Sequence, residues 1–415
     1  MIKNYSKFVL FLFGVFLLSP YGFGISGFGF QSFDLPKLIP FIILIIVIFR
    51  YGFKEIDTVT LLMLIFIFFH FFSILYSNSF TTSFYEFSSN TILYYPGYFA
   101  VLFALRSDIY LKYFLKIVNF VFLAYIFFSI TEFLFQFNIF DLIRNNYTGK
   151  ETRFNNSLGL IRLGRKASMG PFASTLPFAY TMVTLYFLKD LYVPFTKNIK
   201  FKVLLLQIFG AIAVFLTLSR AAIFILIFVL FIKIMFKRNL FKSFFTLFII
   251  FSFSALLFSK IDNTMLNNYV DTYIIGINDN KNSGKTLRLN NNIIDFNYSM
   301  ESPFLGHGAG MLYSNKIGKD SLLKTSDSSF LITILADRGF LSLFLFLMIL
   351  FITLRRAYFL FKIKSNVFNY SSLLYSFSAI ILCLNSSQRQ EVYFLLFLLI
   401  GLINKLYINK IKEKC

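Results

Sequence analysis

Long uninterrupted apolar runs dominate this chain and leave it few ways to fold. Twelve of them stand at 8–25, 35–51, 58–76, 91–105, 114–137, 170–188, 203–218, 221–236, 241–259, 330–354, 370–384 and 392–406. A helix crossing a bilayer needs about 20 apolar residues, whereas a soluble helix needs only one apolar stripe. Backbone amides in hydrocarbon must be satisfied within their own segment, so such runs are expected to be helices. Composition agrees: 57% of residues are hydrophobic and 14% charged, where a soluble domain carries about a quarter charged. The expected fold class is all-α, a polytopic integral membrane helical bundle of about 12 transmembrane helices.

Phe is frequent at 62 and Trp is absent. With the many Ile, Asn and Lys residues this reads as the bias of an AT-rich genome. Tyr then serves alone as the interfacial aromatic.

Basic residues orient the runs. The formal net charge is +21, but most Lys and Arg lie in short connections, where they set topology. No basic soluble domain remains to bind nucleic acid. One alternating set of connections holds Arg50 and Lys54; Arg106, Lys112 and Lys116; and Lys189, Lys197, Lys200 and Lys202. It continues with Lys233, Lys237, Arg238 and Lys242, then Arg355, Arg356, Lys362 and Lys364. Lys3 and Lys7 place the N-terminus in this set, and Lys410, Lys412 and Lys414 the C-terminus. The opposite segment 77–90 has no Lys or Arg. Both termini are therefore expected in the cytoplasm, which an even span count satisfies. No small-x-small cleavage pattern follows the first run, so it is expected to remain as an anchor.

Two long polar segments fall on the outer side, 138–169 and 260–329, the larger between the ninth and tenth runs. Long polar loops outside a compact bundle concentrate function. With no internal repeat, the expectation is a single integral membrane domain, 1–415, bearing these two loops. Cys383 and Cys415 lack metal spacing and a structural disulfide between them is not expected; His70 and His307 lie far apart, so no zinc or other metal site is expected.

Several constellations can carry chemistry. Leu216-Thr-Leu-Ser-Arg220-Ala-Ala222 joins two apolar runs with almost no loop. An arginine at the rim of a bundle is costly and marks function unless it merely ends a helix and snorkels. The segment from Arg153 through Arg162, Gly164, Arg165 and Lys166 makes the first outer loop basic, against the topological trend. An anionic substrate or lipid explains that; solvated loop charges are the plain alternative. Glu301-Ser-Pro-Phe-Leu-Gly306-His307-Gly308-Ala-Gly310 places three glycines at alternate positions, which permits tight backbone approach. It is not a dinucleotide-binding fingerprint, since no βαβ unit is possible here.

Asp327, in Thr325-Ser-Asp-Ser-Ser-Phe-Leu331, is either a helix cap or a reactive carboxylate. Asp337 and Arg338 precede Gly339 and are expected to form a half-helix at the membrane face, neutralising each other before the true span begins at Phe340. Glu132 lies near the outer end of the fifth run, able to pair with a loop arginine or to act as a base. His70 sits in an apolar aromatic run and reads as a packed or hydrogen-bonded residue.

In this order the motifs resemble the O-antigen polymerase and ligase superfamily of bacterial membrane glycosyltransferases: an arginine–glycine outer loop, Leu-Ser-Arg at a tight outer turn, Pro-Phe-Leu-Gly-His-Gly-Ala-Gly, then Ser-Asp-Ser-Ser-Phe-Leu and Leu-Ala-Asp-Arg-Gly-Phe-Leu. The resemblance covers roughly 153–354. Polymerases of this type carry arginine-to-glycine patterns in both outer loops; Arg153 to Gly164 matches one, while the second starts from His307 and departs. Ligases place a histidine just before an Asn-Ser-Tyr-Leu-like step, where this chain has Asp327.

The resemblance implies an enzyme of the bacterial inner membrane. It would act on an undecaprenyl-diphosphate-linked oligosaccharide at the periplasmic face, without cofactor or metal, alongside a chain-length regulator protein. Its reaction needs stabilisation of a diphosphate leaving group and a base or desolvation for the attacking hydroxyl. Arg153, Arg162, Arg165, Arg220 and Arg338 are the expected diphosphate ligands. Asp327, Asp337 and Glu132 are the candidate bases, and a lipid-linked oligosaccharide flippase is the reading from another class.

Overall fold

The structure is a computed structural model; it describes residues 2–19, 24–25, 33–51, 56–140, 161–162, 165–172, 175–192, 197–236, 284–312, 329–363, 368–384 and 390–413. In chain order the elements are α1 (Ile2–Leu18), β1 (Gly24–Ile25), β2 (Phe33–Asp34), α2 (Leu35–Tyr51), α3 (Thr58–Phe72), α4 (Phe80–Leu93), α5 (Pro96–Ala104) and α6 (Asp108–Phe135). They continue as β3 (Ile161–Arg162), β4 (Arg165–Lys166), α7 (Thr175–Leu188), α8 (Lys197–Leu216), α9 (Arg220–Phe236), α10 (Gly284–Glu301), α11 (Phe330–Phe361), α12 (Ser371–Cys383) and α13 (Gln390–Lys412). The protein is thus all-helical apart from two antiparallel ladders of two residues per strand among the described residues. Asp108–Phe135, Phe330–Phe361 and Val392–Lys412 are long and apolar enough to cross a membrane, and shorter apolar helices accompany them.

Two segments differ from the sequence reading. The segment 77–90, expected as a bare outer loop, is mostly helix α4. Its Ser, Thr and aromatic residues do not form an apolar run, so helix was invisible to hydropathy. The run at 91–105 breaks at Tyr94 and Tyr95, and α5 starts at Pro96. Proline has no N–H for the preceding turn but suits a first helical position. The run at 241–259 lies outside the described residues.

The chain divides into two compact units, each gathered from three stretches. The first comprises Met1–Ile43, Ala104–Asn278 and Leu360–Ile380. Its core is α6 against α1, α7 and α8, with Phe122 and Tyr125 meeting Phe178 and Tyr186. Gly210 in α8 faces the rings of Phe122 and Tyr186, which a larger residue would displace. Just past α7, the buried Asp190 binds Lys189 at 2.8 Å and Lys233 at 2.9 Å. Burial alone would raise the Asp190 pKa, but the two lysines outweigh it and hold the carboxyl well below its ordinary range.

The second unit comprises Leu44–Phe103, Asp279–Phe359 and Ile381–Cys415. Here α5 and α13 pack backbone to backbone: Gly97 faces the Phe394 carbonyl and Gly401 the Tyr98 carbonyl. Small residues allow this approach where lipid supplies no hydrophobic drive between helices. Asp57 caps α3 through the Thr60 amide at 3.1 Å and pairs with Arg356, while Asn404 donates to it at 2.9 Å. Burial pushes the Asp57 pKa up, yet those hydrogen bonds and Arg356 bring it below the ordinary value of 3.8.

Candidate functional site

Helix α11 is two helices joined by a break. Gly339 has φ 75° and ψ 179°, which ends the first helix at Asp337 and Arg338 and starts the second at Phe340. A break leaves carbonyls without amide partners on one side and amides without carbonyls on the other. The glycine loop supplies both. The amides of His307 and Gly308 donate to the Ala336 and Asp337 carbonyls at 2.8 and 2.9 Å, and the Phe340 amide donates to the Pro303 carbonyl at 2.6 Å.

The Asp337 side chain fastens the same loop. One carboxylate oxygen accepts the Gly310 amide at 2.9 Å and the other the Leu312 amide at 3.0 Å. Gly306 and Gly339 explain why this loop and this break are glycine-rich. A Cβ on Gly306 would lie 2.5 Å from the backbone at Asp337 and Arg338, and one on Gly339 would strike the Phe304 carbonyl. Both have φ of 75°, where side chains are strained in any case.

Side chains from α4 and from the turn after α3 brace the loop's other edge. Ser83 donates to the Ala309 carbonyl at 2.7 Å and Tyr76 to the Leu305 carbonyl at 2.5 Å. His307 lies flat on Tyr298, 3.9 Å between ring centroids, and its Nε2–H donates to the Tyr298 carbonyl at 2.8 Å. Burial raises the Tyr298 pKa, and the Asp337 and Glu301 charges add to it.

Arg338 turns away from Asp337. It is 6% exposed. Its Nη1 lies 3.5 Å from the Tyr95 hydroxyl, and its guanidinium sits 5.4 Å from the Phe66 ring centroid. Tyr95 is in turn 2.9 Å from His70 Nδ1. An arginine can only donate, so Tyr95 accepts from it, and the direction of the Tyr95–His70 bond follows the imidazole tautomer. Among the described residues no carboxylate is within ion-pair distance of Arg338. Asp337 and Arg338 thus form no direct ion pair: backbone amides take the aspartate, and an aromatic face and a tyrosine take the arginine, while the arginine's charge still acts on the aspartate. Adjacent residues on a helix point about 100° apart, so they cannot share one partner.

In the first unit, Glu132 is buried and equally occupied. Its Oε2 accepts the Met169 and Gly170 amides, each at 2.9 Å, and its Oε1 accepts from Asn138 at 3.0 Å. It thereby anchors the segment 168–170, at the end of the basic stretch, to α6. The Ser168 amide donates to the Leu216 carbonyl at 3.3 Å, tying that loop to the Leu-Ser-Arg turn. Leu218 in the turn has φ 51°, and Arg220 follows as the first residue of α9, exposed.

Each unit thus gathers part of the sequence-derived set. Arg220 and Glu132 lie in the first, with the backbones of Arg162 and Arg165 paired across β3–β4. Asp337, Arg338, Gly306, Gly308 and Gly310 lie in the second. Arg153, Gly164 and Asp327 lie outside the described residues. Sequence reading missed Tyr95, Ser83 and Tyr298, whose roles depend on partners more than 200 residues away for the first two and carry no local signal.

No curated protein matches the chain. Residues 205–347 do match the family described as O-antigen ligase, whose members are glycosyltransferase-like enzymes. The matched stretch runs from α8 over Arg220 and the glycine loop into α11, so the geometry above lies largely within it. Over residues 205–347 this helical membrane protein is similar to the O-antigen ligase family.

Proposed function

We propose that this protein is a surface-polysaccharide polymerase that joins polyprenyl-diphosphate-linked repeat units on the outer face of the bacterial inner membrane. It has twelve spans and cytoplasmic termini in this reading. The observation that supports it best is Arg338: a buried cation beside a backbone-fixed loop, with no carboxylate bound to it among the described residues. A buried charge is retained where it has a counter-charge to meet in operation. A lipid diphosphate supplies one, and guanidinium is suited to it.

A sugar hydroxyl of the incoming unit attacks the anomeric carbon of the growing chain. The carbon–oxygen bond to diphosphate breaks, the lipid diphosphate leaves with the electron pair, and the hydroxyl proton passes to a base. Asp337 spends its oxygens on backbone amides and Glu132 on two backbone amides and the Asn138 side chain, so Asp327 is the proposed base. Arg220, Arg153, Arg162 and Arg165 are further proposed phosphate ligands.

The family description favours a second reading, a ligase transferring finished glycan to a lipid or protein acceptor. Asp327 standing where ligases have histidine favours polymerase. Deleting the gene and resolving surface polysaccharide on a gel separates them. A polymerase null leaves single repeats, a ligase null leaves unattached lipid-linked polymer, and a flippase null leaves neither outside. In the polymerase reading Arg338→Met restores only single repeats at normal protein abundance; full-length polymer from that variant would remove Arg338 from the mechanism.

A further inference from the structure

Helix α10 carries an apolar stripe on its exposed surface. Asp295 and Ser299, one turn apart, are buried at 1% and 0% exposure, and Ser299 donates inward to the Asp295 carbonyl at 2.6 Å. Ile293, Phe296 and Met300 share the opposite face and are 50%, 47% and 45% exposed. Scattered exposed apolar residues are ordinary on any protein. Here Ile293, Phe296 and Met300 form a stripe, flanked by the exposed Asn297 and Glu301, the pattern of a helix lying at a boundary between apolar and aqueous surroundings.

The level of this helix is fixed at its C-terminal end. Two residues after Glu301, the Pro303 carbonyl accepts the amide of Phe340, the first residue of the apolar half of α11. The Leu305 carbonyl accepts the hydroxyl of Tyr76, just past the outer end of apolar α3. Phe304 between them is 77% exposed, and Phe340 and Phe344 continue the exposed apolar surface down α11. The stripe on α10 is therefore continuous with the face of a helix long and apolar enough to cross a membrane.

We infer that α10 lies in the membrane interface, its Ile293–Phe296–Met300 face seated among the acyl chains of the leaflet next to the glycine loop. The occupant is bilayer lipid, because the stripe joins a membrane-facing surface instead of ending in a closed groove. The inference holds for either glycosyl transfer discussed above.

The chain has no Trp, so a single introduced indole reports its surroundings without background. Phe296→Trp and Met300→Trp replace outward side chains, with Phe344→Trp as the membrane control and Glu413→Trp as the aqueous one. Each variant is placed in nanodiscs of phosphatidylcholine or its brominated analogue. Both α10 variants are expected to be quenched by brominated lipid as Phe344→Trp is, with blue-shifted emission and weak acrylamide quenching. Acrylamide quenching at the level of Glu413→Trp would put the face in water and overturn the inference. Resistance to both quenchers would also overturn it, showing that protein covers the stripe. Quenching depends on no substrate, so it stands apart from the fate of the polymerase reading.

Discussion

Replacing Asp337 by asparagine tests whether its carboxylate holds the glycine loop. The carboxylate accepts two backbone amides, from Gly310 at 2.9 Å and Leu312 at 3.0 Å. Asparagine keeps one acceptor and presents an NH2 to the other amide, so one buried hydrogen bond to a charged group is lost. Such a bond contributes about 1.5–3 kcal/mol. At about 1.4 kcal/mol per tenfold change, local opening of the loop should rise roughly 10- to 100-fold. Alanine removes both bonds and should roughly double the free-energy loss. Hydrogen–deuterium exchange by mass spectrometry reads this directly on the protein in nanodiscs, at the amides of Gly310 and Leu312. Exchange should quicken there while α13 is unchanged, and polymer yield should fall with it. Unaltered protection of both amides in Asp337→Ala would refute the anchoring role, and an abundant, protected but inactive variant would instead point to chemistry at Asp337.

Arg220→Ala should abolish polymer without loss of membrane protein, and Arg220→Lys should recover little if two guanidinium nitrogens are used; polysaccharide gels with immunoblots decide it. Glu132→Gln places an NH2 against amide donors and should destabilise the first unit by about 1–3 kcal/mol, seen as a lowered melting temperature in detergent. For Asp57, the folded pKa lies below the ordinary 3.8, so its contribution to stability is present above that value and is lost as pH falls below it. Thermal melts of wild type should therefore steepen in their decline below pH 3.8, and Asp57→Asn should flatten that slope.

Apolar runs made the helical class readable because membrane helices repeat one strong signal. Pro96 and the mixed segment 80–93 escaped because hydropathy cannot tell a polar helix from a loop, or locate a break inside an apolar run. The three glycines announced a tight backbone approach, but Gly306 meets Asp337–Gly339 some 30 residues along the chain, while Gly308 meets Ser77 and Gly310 meets Glu86, more than 200 residues back. Asp337 and Arg338 were misread as partners for the same reason. Sequence neighbours are the first pairing one considers, whereas the aspartate's amides lie at Gly310 and Leu312 and the arginine's tyrosine at position 95. His70 was rightly taken as a hydrogen-bonded residue in the core, yet its connection to Arg338 through Tyr95 needed coordinates.

The glycine loop is joined to α11 almost entirely through main-chain atoms: His307 and Gly308 amides, the Pro303 carbonyl, and amides received by Asp337. Hydrogen bonds of that kind do not read side-chain identity. Outward positions such as Phe304 and Leu305 can then drift from one lineage to another while the loop keeps its path. A loop anchored by its backbone keeps a fixed frame on which its outward side chains can change without refolding.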